Sequence, residues 1–228
     1  MARYGRSTRM SADEAFESPE QFIERLRNSR SGRGVAARAE VARLARRDPK
    51  RALQVARSIE HPWYRCQAIT SIVETNPSEP LAEELPGEAL VAASSQDEPN
   101  RVASVAFWPL RLLVSRGSDK AASRTGELLR VIAKEPRGLR KLDGLRAILV
   151  AVASSQELRE LVLEPFTLAA AASQGWRTER IIDVVAEVLI PLDREAASRL
   201  LGSRLPSRYT KRSRALLSGS SVAQQAGV

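Results

Sequence analysis

His61 and Cys66 are the single histidine and the single cysteine of this 228-residue chain. A Cys–His nucleophile pair needs the imidazole within hydrogen-bond reach of the thiol. Five residues of helix turn through about 500°, so the two side chains leave on different faces. His61 also precedes Pro62, which puts it at a helix N-cap. The expectation is a capping histidine and a small apolar cysteine in the core. One His and one Cys do not make a zinc site unless carboxylates complete it. The chain has no G-x-x-x-x-G-K-[ST] loop, no G-x-G-x-x-G after a strand and no G-x-S-x-G. No catalytic residue, no cofactor and no metal site is therefore expected, and the chain reads as a non-enzyme.

Carboxylates, cations and tryptophans remain as candidates for binding. Glu179, Asp183 and Glu187 fall at i, i+4, i+8, an acidic ridge along one helix face; Glu157, Glu160 and Glu164 form a second at i, i+3, i+7. Such a ridge is a solvated face flanked by Arg180 or Arg159, or the seat of a basic partner. Arg65, Arg101, Lys141, Arg180 and Arg212 each stand near the start of a helical pattern. In a row they could hold phosphates or an acidic peptide. Paired instead with a nearby acid, as Glu60 with Arg65 or Glu98 with Arg101, they would fix helix stacking. Trp63, Trp108 and Trp176 complete the candidate set, with core packing as their simplest use.

These residues need helices to position them. Asp48 and Pro49 suit an N-cap and first helical position. Ala52, Val55, Ala56 and Ile59 then share one face. His61-Pro62 restarts the pattern through Cys66, Ala68, Ile69, Ile72 and Val73, and Asn76-Pro77 ends it. The same grammar recurs in pairs over 80–95 and 98–116, 119–135 and 138–155, 157–174 and 176–191, and 193–204 and 207–217. Period-2 alternation is absent, so strands are not expected. The five register cations are spaced by 36, 40, 39 and 32 residues, the range of two-helix repeats. One such pair cannot bury its apolar faces alone, whereas stacked pairs share a continuous core.

The pattern xPxxALxxARSIxxPxxRxxAIxxI, read from Asp48 to Ile72, resembles the degenerate HEAT-like repeats of bacterial α-solenoid proteins. The stretch LPGEALVAASSQDEPNRVASVAF from Leu85 resembles a further copy. The resemblance implies an all-α, right-handed α-solenoid of about five antiparallel helix pairs, a HEAT-like or ARM-like superhelix that acts as a binding scaffold. The HEAT-like DNA glycosylases imply a narrower possibility, in which Trp and a carboxylate such as Asp143 or Asp183 hold a nucleotide. Pro109, Pro165 and Pro86-Gly87 fall inside helical patterns and are expected to kink or break them.

The expected organisation is a disordered segment at 1–17 and a short capping helix and linker at 18–34. A HEAT-like domain at 35–218 and a disordered tail at 219–228 follow. Ser18 to Gln21 opens the first helix as a capping box, and Arg30–Gly34 (RSGRG) reads as a flexible joint. The net charge of +9 is uneven. Residues 1–47 hold 11 basic and 6 acidic side chains, 194–214 hold 7 and 1, and 48–193 hold 18 and 20. A long phosphate-tracking groove should be basic through its middle. The expected function is thus a non-catalytic scaffold that binds a protein or peptide on its concave face. The alternative is a nucleic-acid-binding protein that uses its basic ends. The absence of a membrane-length apolar run and the lone cysteine point to a cytoplasmic location.

Overall fold

The computed structural model describes residues 18–78 and 82–219, the side chain of Arg27 excepted. The disorder expected of 1–17 and of 219–228 lies outside these residues, except at Gly219, which caps α12. The described chain is all-α: twelve helices and no strand. They are α1 (Pro19–Asn28), α2 (Arg30–Ala45), α3 (Pro49–Ser58), α4 (Pro62–Thr75), α5 (Leu85–Ser94) and α6 (Pro99–Ser115). Then follow α7 (Lys120–Ala133), α8 (Leu139–Val152), α9 (Gln156–Ala171), α10 (Trp176–Leu189), α11 (Arg194–Gly202) and α12 (Lys211–Ser218).

Local chemistry sets many of the boundaries. The Ser18 hydroxyl accepts from Gln21 N–H at 3.2 Å, and Gln21 Oε1 accepts from Ser18 N–H at 2.9 Å, a complete capping box. Asp48 and Asp193 cap α3 and α11 through the N–H groups of Arg51 and Ala196. Pro49, Pro62 and Pro99 occupy first helical positions, where no N–H is missed.

The helices form two layers. The even-numbered helices pack each on the next, α2 on α4, α4 on α6, and so on to α12. The odd-numbered helices α3, α5, α7, α9 and α11 each lie against one or two even ones; among themselves, α7 and α9 meet briefly. One connected apolar core runs from Val41 in α2 to Leu201 in α11. The faces expected from spacing are its interior: Ala52, Ala56, Cys66, Ile69, Val73, Leu128, Ile132, Leu142, Leu145, Leu149 and Val152 are all buried. Two glycines let neighbouring helices pack closely. A Cβ at Gly34 would stand 2.4 Å from the Tyr64 ring; one at Gly144 would stand 2.5 Å from Ile132 and 3.3 Å from Ala103.

Three expectations are corrected. Arg30–Gly34 is not a joint: Ser29 accepts from Gly32 N–H at 3.0 Å and the segment is the start of α2, leaving one residue between α1 and α2. The helix expected from residue 80 begins at Leu85, with Pro86 in its first turn, where proline is tolerated. Pro109 and Pro165 lie inside unbroken α6 and α9. Proline removes the N–H that would serve the carbonyl four residues earlier. For Pro109 that carbonyl belongs to Val105, and it accepts instead from the Cys66 thiol at 3.5 Å. For Pro165 it belongs to Leu161, an exposed residue whose carbonyl water can serve.

Candidate functional site

The central even helices α4, α6 and α8 each leave a narrow stripe uncovered by the core. On α4 it is Gln67, Ser71 and Glu74; on α6, Arg101, Ser104, Trp108 and Arg111; on α8, Asp143, Arg146 and Val150. Residues of α2, α4 and α6 line an open groove of about 360 Å³. Its lining combines small side chains, Ala39, Ala42 and Ser71, with the Trp108 ring. The Trp108 ring is held edge-on by Trp63 at 6.1 Å and by Phe107 at 5.8 Å. Arg38 donates to Gln67 Oε1 at 2.6 Å, and Arg111 pairs with Glu74 at 2.8 Å while lying over Phe107. Both polar ties run between neighbouring even helices. Signs alternate along the face, with Arg38, Glu74 and Arg111 here and Asp143 paired to Arg146 at 2.9 Å on α8.

The five register cations do not act as one row. The Arg65 side chain makes no ion pair or hydrogen bond among the described residues, and Glu60 pairs with Arg33 at 3.7 Å rather than with Arg65. Arg101 does pair with Glu98, at 2.9 Å. Lys141 donates to the Ala133 carbonyl at the end of α7. Arg180 lies over the Trp176 ring at 6.0 Å, and Arg212 meets Glu187 at 3.0 Å. A shared position in the pattern thus carries five different environments.

The acidic ridge of α10 is occupied by the chain itself. Glu179 faces Arg204 at 3.7 Å, Asp183 accepts from the Ser213 hydroxyl, and Glu187 takes Arg212. The basic C-terminal segment is therefore the basic partner of that ridge. Arg159 does not flank the other ridge: it is 6% exposed, donates to the Ala153 carbonyl at 2.8 Å and reaches towards Asp193. Glu157, Glu160 and Glu164 stay exposed.

Sequence reasoning missed Glu135, which is 5% exposed. It accepts from Asn100 N–H at 3.3 Å, covering a free donor at the start of α6 that Glu98 does not cap, and pairs with Arg140 at 2.8 Å. Arg140 also reaches Glu98 and Asn100. Asn100 stands 35 residues from Glu135 and 40 from Arg140, separations comparable to the register spacing, but no local signal marks Glu135.

His61 and Cys66 are not brought together. His61 has no side-chain capping bond; its ring meets Tyr64 at 4.9 Å and its Nδ1 is buried without a partner. Burial, then the charges of Arg30 and Arg101, hold its pKa below the ordinary value. Burial pushes the Cys66 thiol up to about 12. Among the described residues no group of three His, Cys, Asp or Glu could hold a metal ion, and no helix is long and apolar enough to cross a membrane. Comparison with family models, curated proteins and solved structures finds no match.

Proposed function

We propose that the chain is a right-handed, HEAT-like α-solenoid of helix pairs that serves as a non-catalytic scaffold. On this reading its partner is a protein or peptide segment held along the even-helix face, and its setting is the cytoplasm. The contact order supports the solenoid: each helix meets helices close to it in the chain, and the even helices follow one another without interruption. Clefts separate the odd helices, one of about 460 Å³ between α5 and α7 and one of about 520 Å³ between α7 and α9. A continuous layer opposite a splayed one curves towards the continuous side, so the even helices line the concave surface.

The groove between Ala39, Ala42, Ser71 and Trp108 carries the functional reading. A small-residue lining lets a backbone approach closely, and a rigid, partly buried Trp beside it is the kind of anchor that dominates peptide interfaces. Alternating charge along the face favours a protein segment of mixed sign over a polyanion, which needs a continuous positive strip.

Selection of a random peptide library on the full chain tests this. The expected result is a family of related peptides whose affinity falls about tenfold or more when Ala42→Trp fills the groove. Val91→Trp, on the exposed side of α5, should leave them bound. Peptides that ignore Ala42→Trp, or no enrichment at all, would count against the reading.

A further inference from the structure

Most of the cations of the C-terminal segment are already engaged by internal partners. Arg194 donates to the Leu217 carbonyl, and Arg199 pairs with Glu195. Arg204 serves Glu179 and the carbonyls of Ala170 and Ser173. Arg212 meets Glu187, and Arg214 serves the carbonyls of Leu201 and Arg204. The Arg208 and Lys211 side chains remain without an acid or a backbone carbonyl as partner among the described residues. So do Arg177 and Arg180 on the first turns of α10.

The three arginines among these four cations gather on one aromatic pair. Trp176 is 50% exposed and its ring lies 6.0 Å from that of Tyr209, tilted by 32°. The guanidiniums of Arg177 and Arg180 stand 5.2 and 6.0 Å from the Trp176 centroid. Arg208 stands 4.7 Å from the Tyr209 centroid and also donates to its hydroxyl. Aromatic contact holds the guanidinium planes in place while leaving their charge unneutralised. Just before Trp176, Gly175 (φ 96°) is an N-cap that offers no side-chain bond, so the first N–H groups of α10 are not covered by a cap. Of the nearby carboxylates, Glu179 and Glu187 are offset by Arg204 and Arg212, while Asp183 accepts from the neutral Ser213 hydroxyl and keeps its charge.

We propose that this cluster is a binding site for single-stranded nucleic acid. Flat rings and guanidinium planes offer stacking surfaces, and the unpaired cations beside them suit the phosphates of a nucleotide chain. A duplex keeps its bases stacked internally and would use the charge alone. An acidic peptide would use the charge and leave the rings idle. The near-neutral body beyond the patch confines the site to a few nucleotides. The site lies away from the α2–α4–α6 groove, so each stands or falls without the other.

Fluorescence anisotropy of a labelled ten-nucleotide oligothymidine with the full chain tests it. Binding is expected at about 50 mM salt, weakening as salt rises with a slope near −0.7 for each phosphate contact. Trp176→Ala should weaken it about tenfold, and Arg180→Ala should flatten the slope by about 0.7. Trp108→Ala and Ala42→Trp should change neither. Retained circular dichroism and melting midpoint in Trp176→Ala would show that the loss is local. The proposal is overturned by no binding at about 50 mM salt, or by affinity indifferent to Trp176→Ala. A ten-residue polyglutamate or a duplex of the same length that binds as tightly as the oligothymidine would overturn it equally.

Discussion

The α6–α8 contact and the α10–α12 end are built from different materials. At α6–α8, Val102, Ala103, Val105, Ala106 and Leu110 meet Leu142, Leu145, Ile148 and Leu149 in the buried core, and Gly144 lets the backbones close. At the end of the chain α12 buries Ser213 alone. Arginines hold that end instead, through carbonyl oxygens of α9, α11 and α12 and through the acids of α10. The contrast shows what much of the excess arginine does. Spent on helix C-terminal carbonyls, it is structural cement and says little about a polyanionic partner. The part that does speak to a partner is what the carbonyls and acids leave over.

The largest expected effect lies in the interior. Ile148→Ala removes a fully buried side chain and should cost about 2–5 kcal/mol in urea unfolding. Ser213→Ala should cost about 1 kcal/mol or less, because Asp183 is partly exposed and water can replace the lost donor. Hydrogen exchange should show α12 losing protection in that variant while α8 keeps it. If Ser213→Ala lowered the global midpoint as far as Ile148→Ala, the two regions would be one cooperative unit and the contrast would fail.

A second effect sits where α4 meets α6. Cys66→Ala takes away the donor to the Val105 carbonyl that Pro109 cannot serve. That buried acceptor should cost about 1–3 kcal/mol. Pro109→Ala restores a backbone N–H for the same oxygen. The double variant should therefore lose less than Cys66→Ala alone, with a coupling of about 0.5 kcal/mol or more in a double-mutant cycle. Additive losses would mean that the thiol merely fills space.

The helices and their buried faces were legible because period and caps are local. Asp48-Pro49, His61-Pro62 and Asn76 bound their helices as residue chemistry demands. Proline was misread for a complementary reason. Whether an internal proline breaks a helix depends on who serves the freed carbonyl, and Cys66 lies 39 residues from Val105. The partners of Arg212, Arg204 and Glu135 were hidden in the same way, since they sit one helix pair away in the chain. Arg30–Gly34 was misjudged on composition, because two glycines and a serine suggest a joint. Gly34 serves packing there instead, because the Tyr64 ring takes the place where a Cβ would stand. The α2–α4–α6 groove had no sequence signal beyond Trp108, since its lining of alanines and serine reads as ordinary helix surface.

The smallest expected effect is a pH dependence at the edge where α2, α4 and α6 begin. His61 faces Tyr64 on α4 and feels the charges of Arg30 on α2 and Arg101 on α6. Its pKa in the folded chain lies below the ordinary 6.5, so the unfolded chain takes up a proton first as pH falls. Stability should be flat with respect to His61 above that value, decline as pH drops through it, and level off below the folded pKa. His61→Gln removes the titration. The difference in urea midpoint between the two proteins, followed from about pH 8 to about pH 5.5, isolates this contribution from that of the carboxylates. A difference that grows in favour of the wild type on acidification would give the opposite sign. His61 would then gain an anionic partner on folding, and the cationic edge described here would be wrong.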